Sequence, residues 1–225
     1  MTLTQRLIFI SFLTLFVNTV NARTAIDARI EYESWNTGIE GNANAAVLGL
    51  GVTQSIFSVS NISAGITRGD YQFDKNTDSP LIRTDVDIVV SYPLYPQITL
   101  FSGYRHTKIS YENNQDDTRT FDDNSHGPGI GMAGFQLLNA KWIAYTRMGS
   151  SFLFSKIDYT NPNKKDISGK GISFGIEGGI IYQFLASSTA GVALKYQNTA
   201  IDYDSEIENW EHNYLRFGLS LSHYF

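Results

Sequence analysis

The chain ends on Leu215-Arg216-Phe217-Gly218-Leu219-Ser220-Leu221-Ser222-His223-Tyr224-Phe225, a stretch whose apolar residues recur at every second position. Leu215, Phe217, Leu219, Leu221, His223 and Phe225 fall on one parity, and Arg216, Gly218, Ser220 and Ser222 on the other. Successive side chains of an extended strand point to opposite faces. The segment therefore reads as a strand with one mainly apolar face and one polar or small face, because a helix would group its apolar residues three and four apart.

The same rhythm recurs upstream. Ile26, Ala28, Ile30 and Tyr32 alternate with Asp27, Arg29, Glu31 and Glu33, and Val86, Ile88, Val90 and Tyr92 with Asp85, Asp87, Val89 and Ser91. Ile172, Phe174, Ile176, Ile180 and Tyr182 share one parity, as do Val192, Leu194 and Tyr196 opposite Lys195 and Gln197. Continued along the chain, the pattern predicts ten strands near 24–35, 44–53, 56–73, 81–92, 98–111, 127–137, 142–157, 170–184, 189–200 and 210–225. Short links near Thr53–Ser55, Pro93–Gln97, Leu137–Lys141 and Leu185–Ser188 alternate with longer polar ones near Asn36–Ala43, Asp74–Pro80, Glu112–His126, Tyr159–Ser168 and Ile201–Glu208. An even number of strands with short turns at one end and long loops at the other predicts an all-β fold, a transmembrane antiparallel up-and-down barrel. Eight strands are the alternative, since Ala45–Val52 is rich in Gly and Ala and the alternation slips around Ser60–Ser63.

Composition removes several other classes. The 225 residues include no cysteine, which excludes a disulfide scaffold, a thiolate metal site and a thiol nucleophile. A net charge of −5 argues against nucleic acid as a partner, since phosphate binding needs a basic face. At the N-terminus, Arg6, the apolar run Leu7–Val17 and the small residue Ala22 have the order of a secretory signal, so residues 1–22 are expected to be removed after Ala22, leaving 23–225 as the barrel domain. Beyond that run no apolar stretch approaches the length of a transmembrane helix. An exported chain without cysteine fits a Gram-negative envelope.

The two faces differ in chemistry. Arg29, Glu31, Glu33, Asp85, Asp87, Arg105, Arg147, Glu177, Lys195 and Arg216 fall on the polar face and are expected to form one ion-pair belt around the lumen. Neighbouring strands offer pairings of Asp85 and Asp87 with Arg105, of Glu177 with Arg147 or Lys195, and of Arg216 with Glu31 across the closing seam. Charges in a narrow lumen need such partners, because an unpaired buried charge costs several kcal/mol. Aromatic residues gather at strand ends: Tyr32, Trp35, Tyr71, Phe73, Tyr104, Tyr111, Tyr159 and Trp210 at the long-loop end, and Tyr92, Tyr95, Trp142, Tyr182, Phe184, Tyr224 and Phe225 at the other. They are expected to face outward as two girdles around an apolar band.

With these elements in hand, Phe217, Gly218, Leu219, Leu221, Tyr224 and the terminal Phe225 resemble the C-terminal strand by which bacterial outer-membrane proteins are taken up by the barrel-assembly machinery. His223 departs from that pattern, standing where a large apolar residue is usual. The chain as a whole resembles a small, monomeric bacterial outer-membrane β-barrel protein. The resemblance implies residence in the outer membrane and contact with its lipid and lipopolysaccharide.

Chemistry-bearing motifs are sparse. Gly129-Ile130-Gly131-Met132-Ala133-Gly134 spells a dinucleotide fingerprint but lies inside a strand, where Gly129, Gly131 and Ala133 make room for bulky lumen neighbours. Asn61-Ile62-Ser63 spells a glycosylation sequon within another strand. His106, His126, His212 and His223 form no metal-ligand spacing, so neither a metal nor a cofactor is expected. Two acidic loop regions resemble the extracellular mouth of omptin-like proteases, where an Asp–His pair activates water. One holds Asp116, Asp117, Asp122, Asp123 and His126; the other holds Asp202, Asp204, Glu206, Glu208, Glu211 and His212. The same loops could hold divalent cations that bridge lipopolysaccharide phosphates. A lipid A deacylase-like site is disfavoured because no His-x-Ser spacing occurs. The leading expectation is a non-enzymatic barrel with a structural or surface-interaction role and a plugged polar lumen. A small pore for polar solutes is the first alternative, and an enzyme at the mouth the second.

Overall fold

The computed structural model describes residues 24–36, 41–56, 60–73, 81–111, 120–161, 164–204 and 210–225. The expected signal segment lies outside them. Among the described residues there are ten strands: β1 (Thr24–Asn36), β2 (Asn42–Ile56), β3 (Ser60–Phe73), β4 (Leu81–Tyr95), β5 (Ile98–Tyr111), β6 (Phe121–Leu137), β7 (Trp142–Tyr159), β8 (Ile167–Leu185), β9 (Ser188–Tyr203) and β10 (Trp210–Tyr224). Each pairs antiparallel with its sequence neighbours, and β1 pairs with β10 to close the barrel. Closure leaves no strand edge unpaired, which is what a sheet needs where no water can satisfy its backbone.

The eight-strand alternative is thereby excluded. Segment 44–73 is two full strands, and the link expected at Thr53–Ser55 lies inside β2, which runs on to Ile56. Small residues there did not end the strand because they keep the lumen open to larger neighbours: Thr67 and Arg29 approach Gly49 from β3 and β1. Gly41 enters β2 at a φ of 100°, a conformation that residues with a Cβ rarely adopt. Strand β6 begins at Phe121 rather than near residue 127, so part of the expected third long loop is strand.

The outward face is an apolar band formed by residues such as Ile30, Leu50, Ile88, Ile130, Ile172, Leu194 and Leu219, each exposed. Its short-turn rim carries Tyr92, Tyr95, Trp142, Phe184, Tyr224 and Phe225. Tyr182, half-buried, packs against Trp142 with ring centroids 4.6 Å apart and the rings tilted by 35°. Toward the long-loop end the outward residues turn polar together, at Arg68, Lys108, Lys156 and Lys170 on β3, β5, β7 and β8. A tilted strand crosses a bilayer in about 9–11 residues, whereas β6, β7 and β8 have 17, 18 and 19. The barrel thus projects beyond its apolar band at the long-loop end.

Inside that projection the chemistry is reversed. Trp35, Val47, Tyr71, Phe73, Leu81, Ile109, Tyr111, Ile157, Ile201, Tyr203, Trp210 and Tyr214 all point inward and form one buried apolar cluster. Strand β5 shows the change: its inward residues run from Thr99, Gly103 and Arg105 to Ile109 and Tyr111, its outward ones from Leu100 and Tyr104 to Lys108. The parity of the strand never slips. What changes is the solvent outside it, lipid for one stretch and water for the next.

That change corrects the expected upper girdle. Tyr32 and Tyr104 do face outward, but Trp35, Tyr71, Phe73, Tyr111 and Trp210 are buried in the lumen, and Tyr159 packs against that cluster half-buried. Tyr32 and Trp35 are three residues apart on one strand and so must lie on opposite faces.

Candidate functional site

Among the described residues, charged side chains converge out of water in the lumen, which is layered rather than ringed by a single belt. At the long-loop end lies the apolar cluster. Trp35 is fully buried, meets Tyr71 edge-on at 5.1 Å and donates its indole N–H to His212 Nδ1 at 3.1 Å. Burying aromatic surface of this size stabilises by about 1.5–3 kcal/mol per side chain.

Beneath it sits a buried ion network. Arg83 donates to Glu33 at 3.3 Å and to Asp85 at 3.2 Å. Arg216 pairs with Glu33, reaches Glu31 at 2.9 Å, and lies 3.7 Å from Asp85. Tyr71 Oη donates to Glu33 at 2.7 Å, and Thr107 Oγ1 to Asp85 at 2.7 Å. The guanidinium groups of Arg83 and Arg216 stand 4.5 and 5.0 Å from the centre of the Tyr214 ring. Such a network holds together because each charge has several partners; desolvating these ions singly would cost several kcal/mol apiece.

The lowest layer is wetter. Below the network a cavity of about 480 Å³ runs toward the short-turn end, lined by Asn61, Ser63, Ser91, Thr99, Ser151 and Ser173 among others. Arg29 pairs with Asp27 at 2.9 Å, and Arg147 with Glu177 at 2.9 Å. Tyr145 Oη also donates to Glu177, at 2.9 Å. Phe101 projects into this space where Gly131 and Gly149 face it: a Cβ on Gly131 would fall 2.3 Å from the Phe101 ring.

All ten belt residues face the lumen side of their strands, and part of the expected pairing forms while part does not. Arg216 meets Glu31 and Glu177 meets Arg147. Arg105 takes neither Asp85 nor Asp87. It reaches across the lumen to donate to Gln197 Oε1 at 2.8 Å, while Asp85 turns to Arg83 and Arg216. Lys195 makes no ion pair among the described residues, its ammonium lying 5.3 Å from the Tyr214 ring centre. Sequence reasoning omitted Arg83 and Asp27. Both share the inward parity of belt members on their own strands, Asp85 and Arg29, and that signal would have found them.

The acidic loop regions assemble no Asp–His pair among the described residues. Asp123 is buried inside the barrel and held by the hydroxyls of Ser125, at 3.2 Å, and Ser155. His126, three residues on, lies on the outward face with Tyr104 Oη at 2.6 Å from its Nδ1. His212 is buried against Trp35 and Trp210. Asp122 pairs outward with Lys108 at 2.9 Å, and Glu211 and Asp202 are exposed. Asp166, in the link between β7 and β8, accepts from Lys156 at 2.9 Å, a contact that holds its carboxyl below the usual range. Asp116, Asp117, Glu206 and Glu208 lie outside the described residues. Among the described residues no group of three or more His, Asp or Glu side chains converges as a metal site.

A closed ten-stranded antiparallel barrel, apolar outside and charged within, is the architecture of bacterial outer-membrane β-barrel proteins. Solved structures of that class share it. The outer-membrane protease OmpT of Escherichia coli superposes with a TM-score of 0.60 at 13% identity, over 92% of this chain and 99% of that one. The β domain of the Bordetella autotransporter BrkA gives 0.52 at 10%, over 90% and 99%. Neisserial surface protein A gives 0.50 at 10%, over 90% and 97%. At these identities the likeness is one of fold. No protein-family model matches the chain, and no curated protein sequence matches it.

Proposed function

We propose that this protein resides in the outer membrane of a Gram-negative bacterium as a monomeric, non-enzymatic barrel with a closed lumen, serving envelope structure or surface interaction. Its long loops would face the outside and its short turns and both strand termini the periplasm, with lipid and lipopolysaccharide around it and the barrel-assembly machinery as its partner during biogenesis. The observation that carries this reading is the double seal: an apolar cluster centred on Trp35 stacked on the Glu33–Arg83–Asp85–Arg216 network. A solute crossing the barrel would have to displace both layers. The separation of Asp123 from His126 onto opposite faces supports the non-enzymatic part of the reading.

Single-channel recording of the protein in planar bilayers tests it. A silent barrel is the expected outcome, and stepwise conductance in the wild-type protein would overturn the reading in favour of a pore. Hydrolysis of peptides or lipids that is lost in His126→Ala or His212→Ala would overturn it in favour of an enzyme.

A further inference from the structure

Lys195 is a lumen cation with no ion pair among the described residues, although Glu177 on β8 is its register partner. Arg29, Arg83, Arg147 and Arg216 each have a carboxylate within 3.3 Å, but the Lys195 ammonium has none within pairing distance among the described residues. Arg105, Arg147, Arg216 and the carboxylate of Glu177 line the same cavity as Lys195. Among the described residues the side-chain hydrogen bond of Arg105 goes to a neutral acceptor, Gln197 Oε1, which Tyr214 Oη also shares. Asp87, the register partner of Arg105, lines the same cavity but makes no ion pair with it among the described residues. Lys195, Arg105, Arg216 and Gln197 line the 480 Å³ cavity beside Tyr214 and the ion network, and Arg147 lines it as well.

We propose that this cavity is a binding site for a small oxyanion, a carboxylate or phosphate group carried by a polar solute, seated against Lys195 and Arg105 at the blind end of the lumen. The chemistry follows from the charges. Five cations and four carboxylates line this space, with hydroxyls and amides such as Asn61, Ser63, Ser91, Thr99 and Ser173 between them; Arg29, Arg147 and Arg216 are paired with carboxylates, while Lys195 and Arg105 make no ion pair among the described residues. Two negatively charged oxygens would pair with the Lys195 ammonium and accept from the guanidinium of Arg105 in a forked geometry. The volume suits a solute of metabolite size. The inference goes beyond the sealed-barrel reading, since occupancy of a blind site needs no passage through it.

The test is titration calorimetry of the detergent-purified protein at low ionic strength, with inorganic phosphate in one arm and citrate in the other. Saturable binding is expected in at least one arm, weakening as sodium chloride is raised, and which arm binds names the oxyanion. Lys195→Gln and Arg105→Gln are each expected to weaken it by about tenfold or more, Lys195→Arg to retain it, and Lys170→Gln, on the outward face, to leave it unchanged. Heat-modifiable migration verifies that each variant is folded. Absence of saturable binding in both wild-type arms would overturn the proposal. So would equal affinity in wild type and either glutamine variant, or an equal loss in Lys170→Gln.

Discussion

Glu33 of β1 and Arg216 of β10 are register partners across the seam that closes the barrel, and their side chains pair at the centre of its buried charge network. Glu33 is 0% and Arg216 4% exposed. The last strand to be made therefore contributes both the edge that completes the sheet and the cation that completes the interior.

Glu33→Gln leaves Arg83 and Arg216 facing each other with one carboxylate fewer and removes the anionic acceptor of Tyr71. Loss of one partner of a buried pair is expected to cost about 3–5 kcal/mol. Glu177→Gln breaks a pair in which Arg147 is 43% exposed, and is expected to cost under about 1 kcal/mol. Denaturant titrations of both variants in one detergent check the ranking; equal midpoints would show that the two layers are alike in solvation.

Trp35→Ala removes the largest fully buried side chain of the apolar cluster and strands the Nδ1 acceptor of His212. A cost of about 3–5 kcal/mol is expected from the cavity and lost contacts. The variant is nevertheless expected to stay silent in planar bilayers, because the ion network below remains intact. Conductance in Trp35→Ala would mean that the network passes ions by itself.

Asp123 is 1% exposed, is held by hydroxyls alone, and makes no ion pair among the described residues. Asp123→Asn keeps the shape and removes a buried charge, so stabilisation on the order of 1–3 kcal/mol is expected at pH 8. A lower unfolding midpoint for the variant would mean that the carboxylate has a cationic partner.

Leu219 and Leu221 face outward in the apolar band at 50% and 59% exposure, and Phe225 ends its rim at 72%. Replacing both leucines with Asp puts two charges against lipid tails, each costing up to about 2 kcal/mol. Deleting Phe225 removes the terminal residue of the expected assembly signal, along with its backbone hydrogen bond to Thr24 at 2.8 Å. Both changes are expected to lower outer-membrane levels and raise periplasmic material in fractionation blots. Wild-type levels would remove the assembly role from this strand.

Alternation alone made the ten strands and their lipid-facing side legible, because a period of two has one structural meaning and each strand of a barrel repeats it independently. It also put Arg29, Glu31, Glu33 and Arg216 on the inward parity, and a neighbour rule sufficed to join Arg216 to Glu31 across the seam. Parity does not report how far up the barrel a residue stands. Trp35 and Tyr71 were expected to meet lipid because aromatic residues at strand ends usually do, yet on the inward parity, above the apolar band, they could only fill the lumen. Nor does strand order reveal contacts across the barrel. Arg105 passes over its register partner Asp87 for Gln197, 92 positions away, and Lys195 makes no ion pair among the described residues although Glu177 is its register partner. Those partnerships depend on the bore of the closed cylinder and the reach of long side chains across it, quantities that exist only once β1 has met β10.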